Sequence, residues 1–463
     1  MRVLVVNWAS AFNREGAGGG VVVYQANLIG ELYDRGHAIT ELTTGSMYLL
    51  WRRRASIVRL RTRTPVPVRT FALVNSPIPA PGFLVADRPL AIVKNLALAD
   101  IFRRFLSDQR FDVIHFNNLE GLGLDWLEVA KQSGARVVVS LHNYFPVCAQ
   151  VELWQHETRA CDDDESGARC VGCVSRVPRA EVVRAYRLKT GPSLLQRLVE
   201  AVPLRRHVAH SPRRSAEALE IERSAAQHLI RRRVAIEALN QHADAIHAVS
   251  ERTREIFVKY GLDRDKVVTS YIGTEFFAKT YEEPRRTSWS GSLRIAYLGY
   301  ARRHKGFFYL LDALERLPQE TAAKVHVSLF ARGAAEHQRR LSGLRARMAG
   351  VDWLDGYRPE DLQGLLTPVH VGVVPSLWED NLPQTAIEFV CHGVPIITTE
   401  RGGAAEINPA ASWVVDSGDA ASLARFLEQL VRGERSLSDY WLSEPLLRST
   451  SRHVDDIEQL YRG

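Results

Sequence analysis

The sequence predicts an α/β protein built from two Rossmann-like domains with parallel sheets, and three observations lead to this prediction. Short apolar segments of strand length alternate with segments of helix length in both halves of the chain. The alternation stops at a polar stretch, 282–291, which contains Pro284 and Arg285, and then starts again. The chain has 463 residues, which is too long for one ordinary hydrophobic core. We therefore expect two domains that face each other across a cleft.

The first predicted domain comprises residues 1–275. Its elements in order are a strand at 2–8, a glycine-rich loop at 13–20, a helix at 22–35 that Gly36 ends, and strands at 38–42, 111–116, 135–142 and 245–250. An arginine-rich stretch at about 177–240 interrupts the alternation, and we predict that it forms a helical insert.

The second predicted domain comprises residues 276–440. Its strands are expected at 293–298, 325–330, 369–374 and 395–398, with helices that begin near 306 and 383 and one that ends near 348. The C-terminal tail, 441–463, contains an amphipathic helix at 453–461 that we expect to return to the first domain. Open parallel sheets bind ligands beyond the carboxyl ends of their strands, so two facing sheets predict a substrate cleft.

The composition is basic, with a formal net charge of +7 and a pI of about 9.2. A basic balance suits anionic partners such as nucleotides or phospholipid surfaces, and a solvated excess of arginine explains it equally well. We find no recognised nucleic-acid motif and no interleaving of aromatic with basic residues, so we predict no nucleic-acid partner. The start of the chain is too short for a signal peptide, and no apolar run is long enough to span a bilayer, which predicts a cytoplasmic protein.

The most informative motif lies at 374–388, where an apolar strand ends at Pro375 and a polar loop follows. Pro383 suits the first turn of a helix, where its missing N–H costs nothing. The backbone amides of that turn would form an anion site for a diphosphate. Asp380 in the loop and Glu388 in the helix could accept hydrogen bonds from the hydroxyls of a sugar and a ribose. The alternative is an ordinary acidic helix start, which the helix dipole favours.

A second motif, 299–306, is a strand-to-helix turn with cationic side chains. Lys305 is a natural partner for a phosphate, and Arg303 could add a fork of donors. The alternative is a solvated basic turn.

The order of these motifs resembles the retaining glycosyltransferases of family 4, which have the GT-B fold. That family carries a Glu, seven residues and a second Glu, and the matching positions here are Asp380 and Glu388, with Glu379 before the first. The resemblance implies that Asp380 contacts the donor sugar and that Glu388 holds the ribose. It also implies contacts to the sugar and the diphosphate from the backbone of Asn381, Leu382 and Pro383.

The basic turn also resembles that family, with one difference. The family usually has an Arg after the first glycine of this turn and a Lys before the second. Tyr300 stands at the first position, so the resemblance implies that Arg302 or Arg303 takes over its role, and Lys305 is retained.

The first half resembles the family in its glycine-rich loop, which implies that Gly19 and Gly20 lie over the donor. His142 matches a histidine at a strand end that faces the donor sugar, and Gly356 and Tyr357 are implied near the base. For His142 the alternative is a structural histidine, and for His115, at the end of another strand, we favour that structural interpretation.

A dinucleotide-binding fingerprint beginning at Gly16 is an alternative interpretation of the glycine-rich loop. The spacing argues against it, because its sixth position is Val21 and polar residues separate the loop from the first strand.

Four of the five cysteines lie close together in the sequence, and Cys391 stands apart as a helix-packing residue. Because no export signal is present, disulfides are not expected. A structural zinc site and a packed loop of reduced thiols are equally good interpretations. The predicted zinc ligands are Cys148, Cys161, Cys170 and Cys173.

We therefore predict a retaining, metal-independent glycosyltransferase with no catalytic cofactor, whose catalytic residues are His142, Lys305, Asp380 and Glu388. The donor would be a UDP, GDP or ADP sugar, and the acceptor a glycan, a lipid-linked sugar or a small molecule in polysaccharide, glycolipid or glycoside biosynthesis. A sugar-nucleotide epimerase of the same fold and an inactive donor-binding partner are the alternatives.

The arginine-rich insert, which includes Arg231–Arg233, suggests peripheral association with the inner face of the membrane. Solvated helix faces are the alternative interpretation.

Overall fold

The computed structural model describes residues 1–12, 19–49, 52, 54–85, 88–156, 158–162, 167–171, 173, 218–278, 282 and 284–463. The glycine-rich loop before Gly19 and the first part of the predicted insert, 177–217, lie outside the described residues. The rest of the insert belongs to one long helix, Ala218–His242.

The first lobe is built on an eight-stranded sheet of order β10-β9-β6-β5-β1-β2-β4-β3. Every neighbouring pair is parallel except β3 with β4. The strands of this lobe, with a separate hairpin of β7 and β8, are β1 Arg2–Asn7, β2 Ala38–Met47, β3 Ser56–Arg59, β4 Arg69–Val74, β5 Val113–Phe116, β6 Arg136–Leu141, β7 Trp154–Gln155, β8 Arg159–Ala160, β9 Ala245–Ala248 and β10 Val267–Thr269.

The second lobe is built on a six-stranded, wholly parallel sheet of order β13-β12-β11-β14-β15-β16. Its strands are β11 Leu293–Tyr300, β12 Val325–Arg332, β13 Gly350–Leu354, β14 Val371–Val374, β15 Ile396–Thr399 and β16 Val414–Val415. The prediction of two Rossmann-like domains with parallel sheets is therefore confirmed.

Helices cover both sheets, as parallel strands require crossover connections. Those of the first lobe are α1 Gly20–Asp34, α2 Leu96–Asp108, α3 Asp125–Gln132, α4 Ala218–His242 and α5 Glu251–Lys259. Those that follow are α6 Phe307–Arg316, α7 Gln319–Ala322, α8 Gln338–Arg345, α9 Leu362–Leu366, α10 Gln384–Cys391, α11 Ala404–Ile407, α12 Ala420–Val431 and α13 Thr450–Arg462.

The central strands form because their side chains are continuously apolar, which suits a sheet buried on both faces. In β1, residues 3–6 are all fully buried. The sequence prediction omitted β3, β4, β10, β13 and β16 from the two main sheets. The side chains of β3 and β13 are partly exposed and form no long apolar run, and β10 and β16 are only three and two residues long. β4 was omitted although its residues 71–74 are apolar. The sequence prediction also placed Pro383 inside α10, whereas the helix begins at Gln384 and Pro383 is its extended N-cap residue.

The C-terminal helix α13 packs against the first lobe, although it follows the second lobe in the sequence. Its Val454, Ile457 and Tyr461 are buried. Arg136 of β6 donates a hydrogen bond of 2.5 Å from its Nε to the carbonyl of Leu460. The exact domain boundaries stay a prediction, because this return connection joins both lobes.

Arg231 does not belong to a surface patch, so the membrane hypothesis is wrong for this residue. It is 3% exposed, donates to the carbonyl of Pro146 at 3.3 Å and lies over the ring of Phe145. Its neighbour Arg232 donates to the carbonyl of Val147 at 3.1 Å. These arginines hold the loop after His142 against α4. Within the described ranges, every helix is too short or too polar to serve as a membrane-spanning segment.

Candidate functional site

Lys305 lies in the turn between β11 and α6, which packs directly on the loop after β14. The turn is closed by a hydrogen bond from the Gly306 amide to the Arg303 carbonyl, 2.9 Å, and the Leu377 amide donates to the His304 carbonyl at 2.8 Å. Gly306 has a φ of 75°, and a Cβ there would lie 1.7 Å from the Pro375 carbonyl oxygen. The two motifs can therefore approach this closely only because residue 306 is a glycine.

This contact places Lys305 opposite the acidic loop. Its Nζ donates to Oδ2 of Asp380 at 2.7 Å and lies 4.7 Å from the centre of the Trp378 ring. The Asp380 side chain is 10% exposed and that of Lys305 is 30% exposed. A cation and a carboxylate are thus held together at the end of β14, just before the start of α10.

The loop that carries Asp380 is fixed by its backbone. The Asp380 amide donates to the Trp378 carbonyl at 2.8 Å, and the Asp380 carbonyl accepts from the Gly403 amide at 2.8 Å. A Cβ on Gly402, whose φ is 71°, would lie 2.2 Å from that same carbonyl oxygen. The segment 402–403 therefore fixes the backbone of the loop that carries Asp380.

Glu388 and Tyr357, both predicted as nucleotide contacts, are bonded to each other. The Tyr357 hydroxyl donates to Oε2 of Glu388 at 2.7 Å. Burial raises the pKa of the Glu388 carboxyl to about 7. Gly356 has a φ of 86°, and a Cβ there would lie 2.8 Å from Cγ of Arg332, so a glycine turn presents Tyr357 to α10. The Glu388 carboxyl group therefore exchanges its proton near pH 7.

The glycine-rich loop and α10 meet across the cleft. The Gln384 side chain donates from Nε2 to the Gly20 carbonyl at 2.8 Å, and a Cβ on Gly20 would lie 3.1 Å from that side chain. Gly19, with a φ of 57°, is the N-cap of α1. The start of α1 and the start of α10 thus face each other across the predicted diphosphate position.

Glu379, next to Asp380, has a different set of partners. It accepts both Nε and Nη2 of Arg252 from the first lobe, at 2.8 and 2.7 Å, and Nη1 of Arg401 at 3.0 Å. These cations hold the pKa of the Glu379 carboxyl below its usual range although burial acts to raise it. Glu379 is therefore committed to joining the lobes, which leaves Asp380 as the acid beside Lys305.

His142 lies directly after β6, at the carboxyl edge of the first sheet. Its ring packs on Tyr24 of α1, with 4.4 Å between ring centres. Burial holds the pKa of the His142 imidazole well below its usual range, so the ring is neutral. Its Nε2 is buried and has no hydrogen-bond partner in the part of the chain that the structure describes.

The side chains of Arg302 and Arg303, both predicted to help bind the donor, point to aromatic rings and not to the Lys305–Asp380 pair. The guanidinium of Arg303 lies over the Phe308 ring, 5.7 Å from its centre, and that of Arg302 lies over Tyr300 at 5.4 Å. Their assigned role in replacing the family arginine stays a prediction.

Within the described residues, none of the four clustered cysteines forms a disulfide. The Cys173 thiol donates a hydrogen bond to Oε1 of Gln150 at 3.1 Å, and Sγ of Cys170 accepts one from Nη2 of Arg232 at 3.8 Å. Among the described residues, no group of three or more His, Cys, Asp or Glu side chains is placed to hold a metal ion. The structural zinc therefore stays a prediction.

His115 is a structural residue, as favoured from the sequence. Its ring nitrogens bond the Tyr461 hydroxyl at 2.8 Å and Oγ of Ser140 at 2.7 Å. Sequence analysis did not single out several residues around the site, because their partners lie more than 100 positions away along the chain. The most important of these are Tyr24, Arg252 and His453.

Two family models match this chain. The model described as glycosyltransferase family 4 matches residues 18–193, and the model described as glycosyl transferases group 1 matches residues 292–433. Together the two matches span well over half of the chain. A search of curated proteins found no match.

Solved structures with a similar fold span the whole chain at low sequence identity. HepE of Anabaena, in complex with UDP and glucose, has 13% identity and a TM-score of 0.55, with 100% of both chains covered. The UDP-forming α,α-trehalose-phosphate synthase of Burkholderia xenovorans, with glucose-6-phosphate, has 15% identity and a TM-score of 0.59, also with 100% of both chains covered. Sucrose-phosphate synthase of Thermosynechococcus elongatus has 16% identity and a TM-score of 0.56, covering 100% of this chain and 98% of its own.

The two facing parallel-sheet lobes, with a cleft between the carboxyl edges of their strands, define a protein of the GT-B fold. The chain belongs to the family-4 type of GT-B glycosyltransferases.

Proposed function

We propose that this glycosyltransferase transfers a hexosyl group from a nucleoside diphosphate sugar to an acceptor hydroxyl, with retention of configuration at the anomeric carbon. The observation that carries the proposal is the Lys305–Asp380 pair at the end of β14, 2.7 Å apart and just ahead of the α10 amides. A cation beside a helix N-terminus is an arrangement suited to a pyrophosphate.

In the proposed reaction, the bond between the anomeric carbon and the diphosphate oxygen breaks, and its electron pair stays on the leaving diphosphate. Lys305 and the backbone amides of Leu382 and Gln384 stabilise the charge that develops there, a contribution that pre-organised donors make in the transition state. Asp380 positions Lys305 before the donor binds and then accepts hydrogen bonds from the sugar hydroxyls.

Glu388 is proposed to accept the ribose hydroxyls, while the turn at Gly356 and Tyr357 lies near the base. The support is the 2.7 Å hydrogen bond that joins Tyr357 to Glu388 on the inner side of α10. Gly19 and Gly20 are proposed to cover the donor from the first lobe, supported by the Gln384–Gly20 hydrogen bond.

Retention follows if the acceptor oxygen attacks from the face that the diphosphate leaves. The acceptor proton then passes to the departing phosphate oxygen, so no separate base is required and no catalytic metal is invoked. Contact between the lobes excludes water, which protects the donor from hydrolysis. His142, at the carboxyl edge of the first sheet, is proposed to face the donor sugar.

The first experiment is a thermal-shift screen with UDP, GDP and ADP and their glucose derivatives, because a ligand that binds the native state raises its melting temperature. UDP is the first choice, since the HepE structure is a complex with UDP and the trehalose-phosphate synthase is UDP-forming. The nucleotide that binds is then tested as a sugar donor with panels of glycan, lipid-linked and small-molecule acceptors.

Release of nucleoside diphosphate together with a product whose anomeric proton keeps the donor's configuration is the expected result. A product of inverted configuration would refute retention. Conversion of donor alone into an isomeric nucleotide sugar would favour an epimerase, and binding without any turnover would favour a donor-binding partner.

A further inference from the structure

A buried series of contacts, a hydrogen bond followed by ring packing, links the C-terminal helix α13 to His142 at the cleft. Tyr24 of α1 packs its ring on His142, and its hydroxyl lies 3.0 Å from Nε2 of His453 in α13. On the other side of that imidazole, Nδ1 lies 3.0 Å from Oγ of Ser270. Tyr24 and His453 are 3% and 1% exposed, so water does not compete for these hydrogen bonds.

Asp456 stands at the end of this series of hydrogen bonds, and it determines which group donates in each of them. Oγ of Ser270 donates its single proton to Asp456 at 2.7 Å, so it accepts from His453, whose Nδ1 must carry the proton. The neutral ring then has an unprotonated Nε2, which accepts from the Tyr24 hydroxyl. Burial holds the pKa of the His453 imidazole well below its usual range, consistent with a neutral ring.

The donors and acceptors of a second series of hydrogen bonds, from His247 to Tyr461, can be assigned in the same way. Nε2 of His247 donates to the Ser270 carbonyl at 2.7 Å, so its Nδ1 accepts from Oγ of Ser140 at 2.8 Å. Ser140 in turn accepts from Nε2 of His115, and the free Nδ1 of His115 accepts from Tyr461 of α13 at 2.8 Å. Both series therefore begin on α13, and neither leaves a choice of tautomer.

Within the described part of the chain, Nε2 of His142 has no hydrogen-bond partner. Its ring is held by packing, on Tyr24 at 4.4 Å and near His247 at 6.1 Å between ring centres. The position of the His142 ring thus depends on where the Tyr24 ring is held, and the Tyr24 ring is anchored by a residue 429 positions away.

We infer that Tyr24 and His453 are positioning residues that hold the imidazole of His142 in place at the donor sugar, so that His453 of α13 acts on the site through the Tyr24 ring. This inference rests on the proposed function. Its physical basis is that a packed ring with an anchored hydroxyl restricts the rotamers of its neighbour, and small displacements of a group at the reacting centre cost catalysis more than binding.

The test compares Tyr24→Phe, Tyr24→Leu, His453→Ala and His453→Gln in the full-length protein. Tyr24→Leu removes the ring that packs on His142, and we expect kcat to fall by about tenfold or more with the donor KM little changed, as for an interaction made mainly in the transition state. Tyr24→Phe keeps the ring and loses its anchor, so a smaller fall is expected. His453→Gln, whose amide oxygen can accept from Tyr24, should keep more activity than His453→Ala.

The matched control is Glu458→Gln on the same helix. Glu458 accepts from Nε2 of His37 at 2.6 Å and pairs with Arg462 at 2.8 Å, so it anchors α13 to the first lobe without contacting Tyr24. It should lower the melting temperature and leave kcat unchanged. If Glu458→Gln lowers kcat as much as the Tyr24 and His453 variants at equal loss of stability, α13 acts only through stability and the inference is overturned.

Ring-nitrogen NMR of the ¹⁵N-histidine protein provides a readout that does not need a substrate, with His142→Gln to assign the His142 signals. The His142 signals should shift in Tyr24→Leu and stay in place in Glu458→Gln. Unchanged His142 signals in all Tyr24 and His453 variants would refute positioning. If the NMR result holds and the native protein transfers no sugar, the proposed function fails and the structural link survives.

Discussion

At the scale of single residues, the site is organised by opposite charges that each have a defined partner. Lys305 is paired with Asp380, and Glu379 with Arg252 and Arg401, although the two acids are neighbours in sequence. Adjacent residues in an extended loop point in different directions, so one acid can face the cleft while the other joins the lobes. The charge pattern 379–380 could be recognised from the sequence, and the division of roles could not.

The first prediction concerns Lys305. Replacing it with Ala removes the cation proposed to stabilise the leaving diphosphate, and we expect kcat to fall by about 10²–10³-fold, the range seen when one pre-organised donor is lost. Steady-state kinetics with the identified donor measure it. Lys324→Ala, an exposed lysine before β12, is the control and should keep full activity. Full turnover by Lys305→Ala would contradict the charge-stabilisation account.

The second prediction concerns pH. The pKa of Glu388 is raised to about 7, so the carboxyl group gains its charge as the pH rises from 6 to 8. A carboxylate accepts ribose hydroxyls better than a carboxylic acid, so affinity for the nucleoside diphosphate should increase over this window. Calorimetric titration at several pH values measures the affinity. In Glu388→Gln this increase should be smaller, because only the terminal phosphate of the ligand still titrates in this window. An identical pH profile in both proteins would show that Glu388 does not contribute.

At the scale of elements, two glycine turns decide how closely the motifs approach. Gly306 is fixed against the Pro375 carbonyl and Gly402 against the Asp380 backbone. The sequence places Gly306 in a strand-to-helix turn, and the contacts of both glycines with another segment are visible only once the sheet has brought the strand ends together. The first sheet ends in the short strand β3, whose exposed Arg59 discourages pairing with another chain.

The third prediction compares two glycines. Gly306→Ala places a Cβ 1.7 Å from a backbone oxygen at a φ of 75°, and we expect a loss of about 3–5 kcal/mol in the free energy of unfolding or failure to fold. Gly343, inside α8, has nothing within 4 Å of the added Cβ. Gly343→Ala should therefore stabilise the protein by about 0.5–1 kcal/mol. Denaturant unfolding measures both, and equal effects would contradict the argument.

At the scale of the whole molecule, the two lobes are joined by hydrogen bonds that converge on the start of α5. The Glu406 carboxylate of the second lobe accepts from the amides of Glu251 and Arg252, at 2.9 and 2.7 Å, and from the Tyr271 hydroxyl at 2.6 Å. Helix N-termini bind carboxylates in this way. These hydrogen bonds and the Glu379–Arg252 pair hold the two lobes in contact beside the cleft.

The fourth prediction tests this junction with Arg252→Met. The change removes two hydrogen bonds to Glu379, whose side chain is 5% exposed, and leaves it with Arg401 and the Gly402 amide. We expect a loss of about 1–3 kcal/mol in stability, less than for a fully orphaned buried charge, and a larger radius of gyration by X-ray scattering as the lobes separate. Arg425→Met breaks an exposed pair with Asp419 and should change neither quantity measurably. An unchanged radius in Arg252→Met would refute the role of this pair in lobe contact.

The sequence by itself determined the alternating strands and helices, the division into two parallel-sheet lobes and the motifs around Lys305, Asp380 and Glu388. These features depend on periodicity and turn chemistry within short segments, which are encoded locally. Strands with mixed exposure, such as β3 and β13, were missed because their pattern is not periodic over enough residues.

Only the tertiary structure decided which side chains meet. His453 reaches Tyr24, Arg252 reaches Glu379 and Gln384 reaches Gly20 across separations of 429, 127 and 364 residues. Such pairs form because packing of the two lobes and the return of α13 bring distant segments together, and no local pattern in either segment specifies the other. The chemistry of each residue is therefore present in the sequence, while its partner is selected by the fold.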